Sequence, residues 1–257
     1  MATRYAFEQP GNYARGWHII CFSQELAIGD VKRLHYFEQE LVLFRGENGE
    51  AVVLDAYCPH LGAHLAGTGS RVEGNCIRCP FHGWEFDKTG SCSKIPYAKN
   101  IPAKAENALK SWHLSESNGW IALWNDPENG EPNWQLPVIS DWNVGEFGDW
   151  RFNRKVIKSQ GCEIIENIVD VGHFSWIHGY KNVTEESKTI IEGPVIKVNY
   201  GFDRPGKELG RSGNIRVIIN ATAYGLGYSY VDTEVPELGL KLKNFVLPTP
   251  EKDGKVK

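Results

Sequence analysis

Cys58-Pro59-His60-Leu61-Gly62 and Cys79-Pro80-Phe81-His82-Gly83-Trp84 decide the reading of this chain. Each stretch offers one cysteine and then one histidine, one residue apart in the first and two residues apart in the second. Two thiolates for one iron and two imidazoles for another are the ligand set of a [2Fe–2S] cluster in which histidine replaces half of the cysteines. That replacement removes negative charge and raises the reduction potential. Pro and Gly in both stretches let the backbone turn tightly and aim N–H groups at the sulfurs.

Zinc accepts the same four side chains. A zinc finger gathers its cysteines in one knuckle and its histidines on a following helix, whereas each arm here mixes the two and no helical period follows. The iron–sulfur reading is preferred on that ground. A zinc-stabilised binding module without redox activity stays open, and metal content decides between them.

The whole stretch, CPHLGAHLAGTGSRVEGNCIRCPFHGWEF over residues 58–86, resembles the cluster-binding segment of Rieske non-haem iron oxygenases. Within them it is most similar to the sterol-acting branch of cholesterol 7-desaturases and 3-ketosteroid 9α-hydroxylase oxygenase components. The resemblance implies Cys58, His60, Cys79 and His82 as ligands of a 2Fe-2S cluster. Rieske proteins of respiratory complexes carry one more cysteine in each loop. The corresponding positions here are Ala63 and Phe81, so no disulfide braces the loops.

The remaining composition is that of a globular chain: 257 residues, 41% hydrophobic and 23% charged. A net charge of −4 and the lack of a Lys/Arg run argue against nucleic acid as a partner. Six cysteines at this length do not make a secreted disulfide scaffold. Cys21, Cys76, Cys92 and Cys162 are expected to be buried thiols, with Cys76 close enough in sequence to Cys79 to pack near the cluster. The first residues show no apolar leader core and no stretch is long enough to span a membrane, so the expected location is cytoplasmic.

The pattern along the chain predicts an α+β protein in two parts: an N-terminal all-β domain, then an antiparallel-sheet α+β domain. The expected divisions are an N-terminal segment 1–14, the cluster domain 15–125, a connector 126–150 and a catalytic domain 151–257. Strands are expected at Trp17–Phe22, Leu41–Phe44, Ala51–Leu54 and Trp120–Trp124, with a hairpin at Asn48-Gly49. Trp134, Trp142 and Trp150 are expected to peg the connector onto the domains. After it the pattern predicts a strand over 151–159, a helix over 161–177 and β-rich runs from Thr189 onward. The resemblance implies a helix-grip arrangement for this second part, incomplete because the chain ends at Lys257.

A second constellation, Glu166-Asn-Ile-Val-Asp170-Val-Gly-His173-Phe-Ser-Trp-Ile-His178, lies within that part. Asn167, Asp170 and His173 recur every three residues and share a helical face. Two nearby histidines fill two positions of a 2-His-1-carboxylate site for Fe(II). By spacing alone, a helix with two histidines is more often structural. The resemblance implies more. His173 and His178 become ligands of a mononuclear Fe(II), Asp170 a bridging carboxylate between His173 and His82 of a neighbouring subunit, and Asn167 an outer partner. The family's third ligand is a carboxylate far downstream, expected to be missing here. Asp203, Asp232, Glu234 and Asp253 are poor substitutes. His18, His35, His64 and His113 carry no ligand pattern.

Gly225-Leu-Gly227 lacks the third glycine of a dinucleotide fingerprint, so NAD(P)H and flavin are assigned to a separate reductase, with or without a ferredoxin. The resemblance implies a terminal oxygenase component. It would use O2 to hydroxylate or desaturate a hydrophobic substrate of the sterol or steroid class, and it would work as a homotrimer. A Rieske-type electron carrier, or a catalytically incomplete homologue, is the alternative. Oxygen uptake separates them.

Overall fold

The computed structural model describes residues 13–139, 147–148 and 150–257. Its first half is three small antiparallel sheets built from ten strands. The strands are β1 (Gly16–Phe22), β2 (Val31–Tyr36), β3 (Gln39–Arg45), β4 (Ala51–Asp55) and β5 (Arg71–Glu73). They continue as β6 (Cys76–Arg78), β7 (Glu85–Phe86), β8 (Cys92–Lys94), β9 (Leu114–Ser117) and β10 (Trp120–Asn125). The orders are β1-β10-β9, β2-β3-β4 and β5-β6-β7-β8.

All four expected strands are present, and Asn48-Gly49 does turn the β3–β4 hairpin. The Gly49 N–H returns to the Gly46 carbonyl at 2.9 Å, and Gly49 sits at φ +81°, where a side chain is disfavoured. The short β7, β8 and β9 escape periodicity because two to four residues carry too few alternations to register.

The second half is a five-stranded antiparallel meander. Its strands are β12 (Lys181–Glu192), β13 (Val195–Pro205), β14 (Asn214–Tyr224), β15 (Tyr228–Val235) and β16 (Leu240–Val246). Before it stand β11 (Ile157–Lys158), α1 (Gly161–Glu166) and α2 (Val171–Trp176), and after it β17 (Lys255–Val256), which pairs with β11.

The strand expected over 151–159 shrinks to the two residues of β11. The helix expected over 161–177 is broken. Ile168 and Val169 are β-branched and stiff, and the Asp170 carboxylate Oδ1 accepts the His173 N–H, capping a new helix rather than continuing the old one. The break lies before Gly172.

One face of the meander is apolar. Val198, Tyr200, Phe202, Ile215, Val217, Ile219, Ala221 and Val235 form its core, with Phe174 of α2 packed on them. The aromatic end of the other face packs on the first half. Trp17, Ile19, Trp120, Trp124 and Tyr228 are buried together there. Trp134 is a peg as expected: its carbonyl accepts from the Trp17 indole at 2.9 Å, and its ring stacks on Tyr224. Trp150 lies 5.3 Å from Phe245. Trp142 falls outside the described residues.

The last residues lace back onto the first strands. Phe37 N–H donates to the Pro250 carbonyl at 3.0 Å, Thr249 Oγ1 donates to the Ile19 carbonyl at 2.7 Å, and Asp253 N–H donates to Glu38 at 2.9 Å. The Gly225–Gly227 turn, joining β14 to β15, presses on β1. A side-chain carbon at Gly227 would lie 2.3 Å from the Trp17 carbonyl, so only glycine fits there.

Candidate metal centre

The two Cys-His arms fold as one loop used twice. Cys58 N–H donates to the Ala63 carbonyl at 2.9 Å, and Gly62 N–H returns to the Cys58 carbonyl at 2.9 Å. Cys79 N–H donates to the Trp84 carbonyl at 2.8 Å, and Gly83 N–H returns to the Cys79 carbonyl at 3.1 Å. Gly62 and Gly83 sit at φ +72° and +73°, which explains a glycine at the same rung of both loops.

The loops bring all four expected ligands together. Cys58 and Cys79 are both buried, and Cys79 raises the cost of ionising Cys58. The rings of His60 and His82 have centroids 4.7 Å apart and lie edge to face. Nδ1 of His60 is buried and has no hydrogen-bond partner. An unpaired buried nitrogen costs free energy unless something binds it.

Burial, reinforced by Cys79, pushes the Cys58 thiol up to about 12, while the N–H groups of His60 and Leu61 point at its sulfur and pull the other way. A buried thiolate pair needs a cation, and backbone donors at the sulfur suit a bound cluster. Two buried thiols and two packed imidazoles, one with an unpartnered buried nitrogen, therefore fit a two-iron group.

His64 is not a fifth ligand. Its Nδ1 accepts the Ala66 N–H at 3.0 Å, so Nε2 carries the proton and donates to Glu40 at 3.2 Å. Both nitrogens are committed to holding the loop on β3.

The second constellation is partly assembled. His173 and His178 have ring centroids 5.3 Å apart. The Asp170 carbonyl accepts from Nδ1 of His173, which leaves Nε2 as the bare nitrogen. Metal-bound histidines commonly have their other nitrogen held in this way. His178 stacks on Tyr180, Tyr180 on Phe202, and Phe202 on Phe174. Gly179 at φ +67° ends the helix, and Tyr180 N–H returns to the Phe174 carbonyl at 3.0 Å.

The Asp170 side chain is 55% exposed, and its Oδ2 lies 3.9 Å from His173 Nδ1. The backbone, not the carboxylate, holds the imidazole within this chain. Asn167 caps α1 and is exposed. Because the helix is broken, Asn167, Asp170 and His173 do not line one helical face.

Among the described residues, no group of three or more His, Cys, Asp or Glu is placed to hold a single metal ion, so no carboxylate completes a site with His173 and His178. Strand register explains why three of the four carboxylates considered above do not help. Val198 pairs with Ala221, and Ala221 with Val231, on the face that meets α2. Asp203 pairs with Arg216, Asn220 with Asp232, and Ile218 with Glu234, all on the opposite face. There Asp203 is bound by Asn182 and Arg216, and Asp232 by Lys243. Asp253 lies in the closing turn by Glu38. A cavity of about 530 Å³ opens between β1, β16 and residues 150–157, but neither histidine lines it, so it reads as a seam.

The comparisons agree with this layout. Residues 16–112 match the family described as the Rieske [2Fe-2S] domain, and residues 123–255 match the 3-ketosteroid 9α-hydroxylase C-terminal domain. The chain is 41% identical over 180 residues to cholesterol 7-desaturase nvd of Hemicentrotus pulcherrimus, covering 68% of this chain and 38% of that protein. It is 38% identical over 185 residues to the oxygenase component of 3-ketosteroid-9-alpha-monooxygenase of Mycolicibacterium smegmatis, covering 68% and 47%. The chain spans less than half the length of these curated relatives.

In fold it is similar to dicamba monooxygenase bound to dicamba, with a TM-score of 0.68 at 17% identity, covering 94% of this chain and 74% of that one. It is equally similar to Pseudomonas putida CBB5 NdmA with caffeine, with a TM-score of 0.68 at 21% identity, covering 94% and 70%. The chain belongs to the Rieske oxygenase family, joining a Rieske [2Fe-2S] domain to a 3-ketosteroid 9α-hydroxylase C-terminal domain.

Proposed function

We propose that this chain works as a terminal oxygenase component that hydroxylates or desaturates a sterol or steroid. Cys58, His60, Cys79 and His82 would hold the cluster, and His173 and His178 would hold a mononuclear Fe(II). When bound, these groups supply single-electron transfer and dioxygen activation. The observation that carries the reading is the histidine pair. Two imidazoles stand 5.3 Å apart, one with its tautomer set by the Asp170 carbonyl, in the same chain as the four expected cluster ligands. An electron carrier has no use for the second pair. The substrate class rests on the relatives named for cholesterol and 3-ketosteroids and on the apolar face of the meander beside α2.

The chain's own residues would do the following. Asp170 caps α2 and orients His173. Phe174, Tyr180 and Phe202 hold the histidines against the sheet and keep that side dry. The third ligand would be a carboxylate outside the set that converges here. The assigned divisions remain 1–14, 15–125, 126–150 and 151–257. Tyr57, Leu61 and Phe81 beside the cluster, and Trp176 and Ile177 beside His178, are exposed apolar residues. They fit head-to-tail contact between copies in a homotrimer, with His82 of one copy facing Asp170 of the next. Electrons would come from a separate NAD(P)H-dependent reductase, with or without a ferredoxin. No helix among the described residues is long and apolar enough to cross a membrane.

Among the described residues no third donor joins His173 and His178, and this favours a second reading, an electron carrier or catalytically incomplete homologue. Iron and acid-labile sulfide per chain, the paramagnetic spectrum after anaerobic reduction, and oxygen uptake with a reductase and a steroid panel test both. A brown-red protein that consumes oxygen supports the oxygenase. A reducible cluster with no oxygen uptake supports the carrier. A colourless zinc protein refutes both.

A further inference from the structure

Trp84 closes the second cluster loop, and its indole lies flat on the ring of His60 in the first loop. The centroids are 4.7 Å apart and the planes differ by 8°. The indole is buried, 7% exposed, and braced by Phe86 at 6.3 Å. Its N–H donates to the hydroxyl of Tyr97 at 2.8 Å. Tyr97 is 64% exposed and sits in a turn closed by Ala98 N–H on the Ile95 carbonyl at 3.1 Å. Pro96 presets φ at the second position of that turn, and buried Ile95 anchors it. Gly83 keeps the loop against this turn, since a side-chain carbon there would lie 3.0 Å from Pro96. The three rings therefore form a fixed chain from the surface to a candidate cluster ligand.

We propose that Trp84 and Tyr97 are positioning residues for the cluster: Tyr97 tethers the indole, and the indole face fixes the plane of the His60 ring. This rests on the cluster assignment above. The lone pair of an imidazole nitrogen lies in the ring plane, so fixing that plane fixes the direction in which Nδ1 points. Rotating His60 about its Cβ–Cγ bond would drive a ring edge into the indole. The unpartnered Nδ1 of His60 is thus aimed by a neighbour rather than by a hydrogen bond of its own. Metal-bound histidines are more often oriented through their second nitrogen; here a ring face does that work. The tether is open to solvent, so a molecule docking on Tyr97 reaches the ligand plane through one hydrogen bond and one stack.

The test uses the full chain with Trp84→Phe, Trp84→Leu and Tyr97→Phe, in metal-free and cluster-loaded form. In the metal-free chain, NMR should show His60 ring protons shifted upfield by the indole. The shift should persist in Trp84→Phe and vanish in Trp84→Leu, and Tyr97→Phe should move the Trp84 indole N–H signal. In the loaded chain, Trp84→Leu should broaden the paramagnetic spectrum of the reduced cluster and speed its loss to a chelator about tenfold. Trp84→Phe should restore both to near wild type. An unshifted His60 in the wild type, or Trp84→Leu matching Trp84→Phe, would overturn the proposal. If the wild type binds no cluster, the assignment fails instead, and the metal-free spectra still decide whether the indole fixes His60. If Trp84→Leu does not fold, Trp84→Phe and Tyr97→Phe decide: an unmoved indole signal in Tyr97→Phe, or a His60 shift lost in Trp84→Phe, overturns it.

Discussion

Thr249 donates its hydroxyl to the carbonyl of Ile19 at 2.7 Å, a bond that ties the closing segment to the first strand across 230 positions. Thr249 is 1% exposed. Thr249→Val keeps the shape and strands the Ile19 carbonyl, so it should cost about 1–3 kcal/mol. Thr249→Ser should cost far less. Urea unfolding followed by fluorescence and by circular dichroism measures both, and the two probes should report one shared transition.

His18 is the pH-sensitive group of the same seam. It is 1% exposed, its Nδ1 lies 3.2 Å from the Pro248 carbonyl, and burial lowers its pKa from 6.5 to about 4. The folded state therefore takes up a proton less readily than the unfolded chain. The stability is complete above pH 6.5 and drains away as pH falls toward 4, by about 3 kcal/mol if no other group compensates. Melting temperature against pH should show this slope, and His18→Gln should flatten it.

Arg45 and Glu116 brace the β3–β4 hairpin against β9. Two guanidinium nitrogens reach the carboxylate, at 2.9 and 2.8 Å, and the same side chain donates to the carbonyls of Leu26 and Gly49. Arg45→Met leaves three acceptors unmet and should cost about 2–3 kcal/mol, the low end for a buried pair because Glu116 keeps a third of its side chain in solvent. Glu116→Gln should cost about 1 kcal/mol. Denaturation midpoints check the order.

Cys79→Ser should abolish the visible absorption and the acid-labile sulfide. It should leave far-ultraviolet circular dichroism intact, since Cys79 N–H and its carbonyl hold the loop through backbone bonds. A coloured Cys79→Ser protein would remove Cys79 from the ligand set.

The cluster loops were readable because their chemistry is local: four ligands, two prolines and two positive-φ glycines lie within two short stretches. The long strands β13, β14 and β15 were readable from apolar alternation. The helix break at Asn167–Asp170 was not, because Asp170 fits a helical period equally well as a capping residue. Nor was the role of Tyr97, which lies thirteen residues from the indole it tethers. Nothing in the order of residues says that the closing turn at Gly254 folds back onto Glu38. The failure of Asp203, Asp232 and Glu234 as ligands is a matter of strand parity, visible only once the register is known.

The twin cluster loops share one backbone pattern and place their imidazoles on different rungs. Leu61 stands on the rung that His82 takes in the other loop, and Phe81 stands on the rung of His60. Both of these spare rungs point hydrocarbon outward, 65% and 61% exposed. Each loop so furnishes one nitrogen for the metal and one greasy shoulder beside it. Water at that rim meets oil rather than charge, and an arriving protein can seal the doorway simply by wiping it dry.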